Sequence, residues 1–390
     1  MPTPTKMDLF AATAPGLESI ALGELKRLGI KGKAEAGGVS YRGDIETMYA
    51  TNLWLRTAGR IIVRLARFHA STFHELERRA RNVGWAPFVP SEGTIRVRVT
   101  CRKSRLYHSD AVAERVLAAI SKAAPGARFA GVSATGDDSD VEDDGREMEQ
   151  LFIVRIVDDE CEISADTSGE LLHRRGYRQE IAKAPLRETL AVAMVLASGW
   201  KSTQPLIDPM CGSGTIPIEA ALLARGIAPG LRRRFAFMDW PTFEPRRWQE
   251  NLVRAEALMV EKPGLEIIGS DRDTGAVEAS RSNAERAGVA RDIQFSGRPL
   301  SNSIGILDDF GHPGWILTNP PYGVRLGDTA GLVNLYGKLG SALKSADGWR
   351  LGILTSDTTL ARQTGLPLRA RFSTRNGGIP VAFFGQEKAT

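Results

Sequence analysis

The pattern of hydrophobic and polar positions divides the chain into an N-terminal half of mixed elements and a C-terminal half of regular alternation. In the N-terminal half, strict alternation over residues 94–99 predicts a half-buried strand. Apolar residues at helical spacing predict helices over residues 17–28, 73–83 and 109–120. Further strands are predicted over residues 8–12, 39–41, 151–157 and 161–165, with a tight Asp158-Asp159 turn between the last two. This mixture indicates α+β architecture.

From residue 205 onward, apolar strands and helices follow one another. The predicted strands cover residues 205–209, 266–271, 292–295, 315–319 and 350–356, and the main helices cover residues 215–225, 274–287 and 331–346. A hairpin with Asn376-Gly377-Gly378 at its turn is predicted over residues 368–384. Strands that alternate with helices form parallel sheets covered on both faces. We therefore predict an α/β fold here, a Rossmann-like and mostly parallel sheet with a C-terminal antiparallel hairpin.

Composition narrows the class of protein. Of the 390 residues, 42% are hydrophobic and 25% are charged, which is typical of a soluble folded protein. The longest apolar run, residues 190–197, is far shorter than the ~20 residues of a membrane span, and the N-terminus lacks a secretory pattern. Three dispersed cysteines fit a reducing compartment. We therefore expect a cytoplasmic protein without membrane contact and, since no Cys-x-x-Cys is present, without a metal site.

Positive charge is concentrated in one part of the chain. The net charge is +5, but residues 56–105 alone contain twelve basic and three acidic residues. Such an excess predicts a surface that neutralises phosphates of a nucleic acid. A solvated basic face without a ligand is the alternative.

A glycine-containing turn follows the first strand of the C-terminal half. Gly212 and Gly214 lack Cβ atoms, so a ligand can approach the backbone N–H groups at the carboxyl edge of the sheet. No lysine follows Gly214, which disfavours a triphosphate site, and the third glycine of a dinucleotide site is missing. The turn therefore predicts a different cofactor, held by Asp208, Met210, Cys211, Gly212, Ser213, Gly214 and Thr215.

Asp271 closes the second predicted strand of this half. A carboxylate in that place can accept hydrogen bonds from the ribose hydroxyls of a nucleoside ligand, so Asp271 joins the predicted cofactor residues. An N-cap role of Asp271 or Asp273 on the following helix is the alternative.

Asn319-Pro320-Pro321-Tyr322 follows the fourth predicted strand. The prolines fix φ and donate no N–H, which leaves their carbonyls free to face a ligand. The Asn319 side-chain oxygen and the Pro320 carbonyl can together accept both hydrogens of an exocyclic base amine, while Tyr322 can stack on a base extruded from its helix. We predict these four residues as the catalytic segment. A rigid turn with an exposed aromatic ring is the alternative.

These motifs resemble those of a known family. Residues 208–220 and 319–322 resemble motifs I and IV of the class I amino-methyltransferases. Residues 166–169, 173–178 and 184–190 resemble the linker of THUMP-containing RNA guanine-N2 methyltransferases, which include bacterial 23S rRNA enzymes and related tRNA enzymes. The resemblance implies S-adenosylmethionine as cofactor and structured RNA as partner, rRNA before tRNA, with guanine N2 as the methylated atom.

The resemblance also implies a domain order. It is a ferredoxin-like part over residues 1–52, a THUMP RNA-binding domain over 53–165, a linker over 166–184 and a Rossmann-like methyltransferase domain over 185–390. Within the THUMP part, one segment resembles the basic segment of the family ahead of a helix, and we expect its residues to contact RNA. They are Arg102, Lys103, Arg105, Tyr107 and His108.

One segment departs from the family pattern. Related enzymes present an acidic residue to the cofactor adenine after the third strand, whereas residues 296–300 contain no carboxylate. Adenine recognition is therefore expected from backbone groups or from a neighbour such as Asp308.

Three other functions are compatible with parts of the sequence. The Asn-Pro-Pro-Tyr segment also permits an adenine-N6 methylase, since adenine carries an exocyclic amine. A tRNA guanine-N2 enzyme would share every motif. An RNA-binding assembly protein with an inactive methylase domain is the non-enzymatic alternative, although the intact Asp208, Gly212, Asp271 and Asn319 argue against it.

Overall fold

The computed structural model describes residues 6–90, 93–134, 149–179, 186–261, 264, 266–322 and 329–387. They form two compact units, each assembled from separate stretches of chain. The first unit contains Met1–Thr13, Ala21–Leu172 and Arg233–Val253, and the second contains Ala14–Ile20, His173–Arg232 and Arg254–Thr390. Among the described residues, no helix is both long and apolar enough to cross a membrane.

An eight-stranded sheet forms the first unit, in the order β2-β3-β1-β4-β8-β7-β5-β6. Its strands are β1 (Met7–Thr13), β2 (Gly32–Glu35), β3 (Gly38–Gly43), β4 (Ala58–His69), β5 (Thr94–Arg102), β6 (Arg128–Ala134), β7 (Gln150–Val157) and β8 (Glu160–Asp166). Strand β5 runs parallel to β6 and β7, and the other pairs are antiparallel. Its helices are α2 (Ile45–Trp54), α3 (Phe73–Ala80), α4 (Ser109–Ala123) and most of α1 (Glu18–Arg27).

Local sequence explains these strands. The inward side chains of β5, Ile95, Val97 and Val99, are buried, as their alternation predicted. Asp158 and Asp159 adopt φ values of +50° and +63° between β7 and β8. Two consecutive left-handed residues match the right-handed twist of a tight hairpin, so the predicted turn is confirmed.

A buried polar network lies at the C-terminal end of β8. Asn52 donates to the Thr167 hydroxyl at 2.7 Å and accepts from the Ser168 hydroxyl at 2.8 Å, while buried Asp166 pairs with Arg60. Every member has a partner, as buried polar groups require. Residues 166–169 are therefore part of the first unit.

An aromatic segment from the C-terminal half of the chain completes the first unit. The Phe237 and Trp248 rings lie 4.8 and 5.5 Å from the Tyr49 ring, and Trp240 donates to the Gln150 side chain at 2.5 Å. Trp248 lies on helix α7 (Pro245–Ala257). Residues 233–253 thus bury their aromatic rings in the core of the first unit.

The second unit contains a seven-stranded sheet in the order β11-β10-β9-β12-β13-β15-β14. The strands are β9 (Leu206–Asp208), β10 (Ile267–Asp271), β11 (Ile293–Gly297), β12 (Trp315–Thr318), β13 (Arg350–Thr355), β14 (Leu368–Asn376) and β15 (Ile379–Gln386). The first five in that order are parallel, and β15 pairs antiparallel with β13 and β14. The predicted Rossmann-like sheet with its C-terminal hairpin is confirmed.

Helices cover this sheet and bury its two apolar faces. They are α5 (Glu188–Ser198), α6 (Thr215–Ala224), α8 (Thr274–Ala287), α9 (Leu300–Ile304), α10 (Thr329–Ser345) and α11 (Thr358–Gln363). Residues 14–20 belong to the same core, since Leu17 is fully buried in it. Gly16 has φ of +88°, and a Cβ there would lie 1.9 Å from the Ser373 carbonyl oxygen, so glycine is required for the close approach.

Candidate active site

The glycine turn after β9 has left-handed backbone at both glycines. Gly212 and Gly214 adopt φ values of +53° and +83°, and the Cys211 N–H donates to the Ser270 carbonyl at 2.9 Å. A Cβ on Gly214 would lie 3.0 Å from the Ser280 Cβ. The turn therefore depends on glycine for its conformation and for the packing behind it. Ser213 and Thr215 are buried, and Thr215 begins α6.

Helix α8 anchors the turn from behind. The Ser280 hydroxyl donates to the Gly212 carbonyl at 2.7 Å, and the Asn283 side-chain amide donates to the Ser213 carbonyl at 3.1 Å. Both side chains are fully buried. Neither residue was predicted from the sequence, although two polar residues three positions apart on the apolar face of a helix were a usable signal.

Asp271 bridges the two predicted cofactor motifs. Its Oδ2 accepts from the Gly212 N–H at 3.0 Å, and its Oδ1 accepts from the Asp273 N–H at 3.0 Å. Each oxygen keeps acceptor capacity, which suits a ribose diol. Asp273 is the N-cap of α8 and accepts from the Gly275 N–H at 2.9 Å, so the predicted N-cap alternative applies to Asp273.

Asp208 is buried at the end of β9 and accepts from the Met210 N–H at 3.2 Å. Burial raises its pKa to about 7, the Asp271 charge acts in the same direction, and the Thr318 hydroxyl and the Met210 N–H act against it. Burial also raises the pKa of the Cys211 thiol, whose Sγ lies 3.7 Å from the Ser280 hydroxyl. This environment makes Cys211 a packing residue and a poor nucleophile.

The Asn-Pro-Pro-Tyr segment lies at the same edge of the sheet. Strand β12 pairs with β9 in parallel, with Trp315 opposite Leu206, so both strands end at the carboxyl edge. Asn319 Oδ1 is buried and has no hydrogen-bond partner among the described residues. A buried acceptor without a partner costs free energy, which a ligand N–H can recover.

The rest of the segment differs in exposure. Pro320 is buried, Pro321 is exposed, and Tyr322 is partly buried against the core of the second unit. The Tyr322 hydroxyl accepts from the Asn376 side-chain amide at 3.2 Å. Burial raises the pKa of Tyr322, so the phenol is protonated at neutral pH.

The region after β11 contains the departure from the family pattern. The Arg298 N–H donates to the Asp271 carbonyl at 2.9 Å, and Asp308 is exposed on a short 3-10 turn, Leu307–Asp309. Ser296 Oγ is buried and has no hydrogen-bond partner within the described part of the chain. Backbone and hydroxyl groups are thus available here in place of a carboxylate.

The predicted RNA-contact residues share one loop of the first unit. Arg102 ends β5, Lys103 has φ of +47°, and Tyr107 is 69% exposed with its ring 4.0 Å from the His108 ring. The Arg105 N–H donates to Asp159 at 2.7 Å, which fixes the loop on the β7–β8 turn. The five residues are all exposed.

The basic excess over residues 56–105 is not one surface. Arg56, Arg60 and Arg98 are buried, so the prediction of a phosphate-binding face is wrong for these three. Arg64 pairs with Glu35 and Glu162, which reduces its availability. Arg60 on β4 is held by buried Asp166 instead of a phosphate.

Residues 173–178 brace the helices next to the glycine turn. Arg175 pairs with Glu219 of α6 at 2.9 Å, and the Tyr177 hydroxyl donates to the same carboxylate at 3.0 Å. Arg178 pairs with Glu188 of α5 at 3.1 Å. This segment of the linker resemblance therefore has a structural role in the second unit, while residues 184 and 185 lie outside the described residues.

Residues 175–381 match the family described as RMKL-like, methyltransferase domain, and residues 8–62 match the RlmL ferredoxin-like domain. The chain belongs to the RMKL-like methyltransferase family. It is 33% identical over 382 residues to "Putative RNA methyltransferase YpsC" of Bacillus subtilis (strain 168), covering 97% of this chain and 95% of that protein. It is 36% identical over 382 residues to "Ribosomal RNA large subunit methyltransferase K/L" of Syntrophotalea carbinolica, covering 95% of this chain but 52% of that protein.

Solved structures of the family agree with the fold. The crystal structure of SMU.472 complexed with SAH superposes with a TM-score of 0.84 at 29% identity and covers 100% of both chains. S-adenosylmethionine is therefore the cofactor of this methyltransferase. The residues fit it, because Asp271 has acceptors for a ribose diol and the glycine turn admits a ligand to its backbone.

Proposed function

We propose that this methyltransferase modifies an exocyclic amine of a base in structured RNA, most specifically N2 of a guanine in 23S rRNA, in the cytoplasm. The supporting observation is Asn319 Oδ1, a buried acceptor without a partner among the described residues, at the sheet edge that also carries the cofactor turn. The names of the two relatives, one an RNA methyltransferase and one a large-subunit rRNA methyltransferase, support RNA as substrate.

The residues suit the chemistry of an aromatic amine. The lone pair of such an amine is delocalised into the ring, so the nitrogen is a weak nucleophile. Hydrogen bonds from its two N–H groups to Asn319 Oδ1 and the Pro320 carbonyl favour a pyramidal nitrogen with the lone pair aimed at the methyl group. The N–C bond forms as the S–C bond breaks, S-adenosylhomocysteine leaves, and the alkylated amine loses a proton to water. In-line positioning supplies most of the rate.

In this proposal, Tyr322 and the first unit both bind the RNA. The Tyr322 ring stacks on the base once the base has left its helix. Residues 53–165 form a THUMP domain whose exposed loop binds phosphates through Arg102, Lys103 and Arg105 and stacks through Tyr107 and His108. The ferredoxin-like part precedes it and the methyltransferase domain follows.

Nucleoside analysis tests the proposal. Purified protein and tritiated S-adenosylmethionine are incubated with 23S rRNA, tRNA and DNA from a strain that lacks the gene, and the products are digested and identified by mass spectrometry. N2-methylguanosine in 23S rRNA is expected, and the Asn319→Ala protein serves as the control for contaminating activity. Methylated adenine, or methylation confined to tRNA, would overturn the assignment. Cofactor binding without methylation of any of the three would support the inactive assembly protein.

A further inference from the structure

The hydrogen bond between Asn376 and Tyr322 joins the C-terminal hairpin to the catalytic segment. Asn376 Nδ2 donates to the Tyr322 hydroxyl oxygen at 3.2 Å across a sequence separation of 54 residues. Asn376 is only 8% exposed and is the last residue of β14, directly before Gly377. The donor is thus carried by a strand rather than by a loop.

The hairpin gives this donor a fixed position. Strand β15 is paired on one side with β13 and on the other with β14, where Asn376 lies opposite Ile379. Phe372 and Asn376 lie on the same buried face of β14, and Phe372 packs with the Phe383 ring at 5.4 Å. Between them, the Thr374 hydroxyl is buried and has no hydrogen-bond partner in the part of the chain that the structure describes. This end of the hairpin therefore combines a rigid backbone with polar groups.

Tyr322 needs such an anchor. The preceding Pro320 and Pro321 restrict the backbone, but they leave the side-chain torsions of Tyr322 free. Asn376 donates to the phenol oxygen, so the phenol's own proton is not used in this hydrogen bond, and the bond limits where the ring can turn.

We propose that Asn376 is a positioning residue for methyl transfer, which acts by holding the Tyr322 ring in the orientation that stacks on the target base. The proposal rests on the proposed function of Tyr322. Asn376 does not touch the reacting atoms, so its whole effect passes through the Tyr322 hydroxyl.

A double-mutant cycle tests this coupling, since a residue that acts only through the hydroxyl has no effect once the hydroxyl is gone. The variants are Asn376→Ala, Tyr322→Phe and the double substitution, and the readouts are single-turnover methyl transfer and the Kd for S-adenosylhomocysteine. Each single variant is expected to slow transfer by about 3- to 10-fold, the range of one net hydrogen bond, and the double variant no further. The cofactor Kd is expected to stay unchanged in all of them.

Arg375→Ala is the matched control, because Arg375 directly precedes Asn376 in β14, is exposed and donates to the Gly378 carbonyl at 3.0 Å. It is expected to transfer at the wild-type rate. Multiplied losses in the double variant, or a loss in Asn376→Ala alone without one in Tyr322→Phe, would overturn the positioning role. Wild-type transfer by Tyr322→Ala would instead reject the catalytic role of Tyr322 in the proposed function. Tyr322→Phe removes the same hydrogen bond from the other side. If Asn376→Ala folds poorly, the transfer rate of Tyr322→Phe alone therefore still tests whether the bond contributes.

Discussion

Asp271 and Gly212 are joined by a hydrogen bond of 3.0 Å in which the glycine N–H donates to the carboxylate. The bond links the turn after β9 to the end of β10, so the two predicted cofactor motifs are in direct contact. The second Asp271 oxygen is held by the Asp273 N–H, which fixes the plane of the carboxylate. Its free acceptor positions are therefore oriented before the cofactor arrives.

Removing this carboxylate is expected to weaken cofactor binding. Asp271→Ala loses the ribose acceptors and the link to Gly212, and we expect the Kd for S-adenosylhomocysteine to rise at least tenfold by calorimetry, about 1.4 kcal/mol. Asp273→Ala is the control. It loses the α8 N-cap, about 1 kcal/mol of stability, with little change in Kd. An unchanged Kd in Asp271→Ala would place the cofactor elsewhere.

Asn319→Ala is expected to slow methyl transfer at least 100-fold, about 2.7 kcal/mol in the barrier, while the cofactor Kd stays unchanged. The reason is that, in the proposed function, the Asn319 oxygen acts on the target amine and not on the cofactor. Tyr322→Ala should also be severe, since stacking on a base is worth about 1–3 kcal/mol, whereas Tyr322→Phe keeps the ring and is milder. Single-turnover assays with tritiated cofactor measure all three. Normal transfer by Asn319→Ala would make this segment a structural turn.

Reversing the charges of the exposed loop is expected to weaken RNA binding and flatten its salt dependence. When Arg102, Lys103 or Arg105 is replaced by Glu, each phosphate that is no longer neutralised lowers the slope of log K against log salt by roughly 0.7–0.9. Filter binding at several salt concentrations measures it. The control reverses three exposed arginines at and after α3, Arg78, Arg79 and Arg81, for the same change in net charge. Equal losses of affinity in both triple variants would indicate a non-specific charge effect.

The raised pKa of Asp208 has a measurable consequence for stability. The folded protein binds this proton more tightly than the unfolded chain does, between the ordinary pKa of 3.8 and about 7. The carboxyl therefore destabilises the fold increasingly as the pH rises through that window, and fully above it. Asp208→Asn keeps an acceptor for the Met210 N–H and removes the titration.

We expect Asp208→Asn to stabilise the protein more at pH 8 than at pH 5, measured as the difference in urea midpoint from the wild type without cofactor. Glu188, whose pKa is also raised to about 7 by burial, is present in both proteins and cancels in that difference. The same stability difference at both pH values would contradict the raised pKa.

The exchange of segments between the units predicts the behaviour of fragments. A fragment of residues 173–390 lacks Leu17 and carries the aromatic segment 233–253 without Tyr49, so we expect no cooperative thermal transition for it. In the full chain, Leu17→Ala should destabilise the second unit by about 2–5 kcal/mol, although it lies near the N-terminus. Exposed Val253→Ala is the control. A fragment that melts cooperatively and binds cofactor would show that the segments are dispensable.

The sequence predicted that the three motifs share one edge of the sheet because its signals are local. Neighbouring parallel strands end at the same edge of a sheet. Asp208 and Asp271 end their strands and Asn319 follows one, so the sequence predicts that the three are neighbours. What it could not predict depended on distant partners. The side chains of Ser280 and Asn283 gain their role only when α8 packs behind the glycine turn.

The charge pattern and the aromatic pattern did not predict burial or packing partners for the same reason. Arg60 and Arg98 count as surface charge in any local window, and only the strand register shows that they are buried. The periodicity of segment 233–253 does not indicate its partner, because Phe237 and Trp248 pack on Tyr49, which lies 188 and 199 residues earlier in the chain. Helix α2 was missed since its apolar residues lack a clear single-sided stripe.

The reciprocal exchange of segments has a consequence for synthesis on the ribosome, where chains emerge from the N-terminus and domains usually fold in that order. The first unit cannot bury Tyr49 until Phe237 and Trp248 have emerged, well after its own sheet is complete. Residues 14–20 are among the first to emerge, but they can pack into the second unit only later still, because Gly16 packs against the backbone of Ser373. The first core therefore closes only after residue 248 and the second only after residue 373, and a nascent chain that stalls before residue 233 exposes two unfinished folds instead of one finished domain.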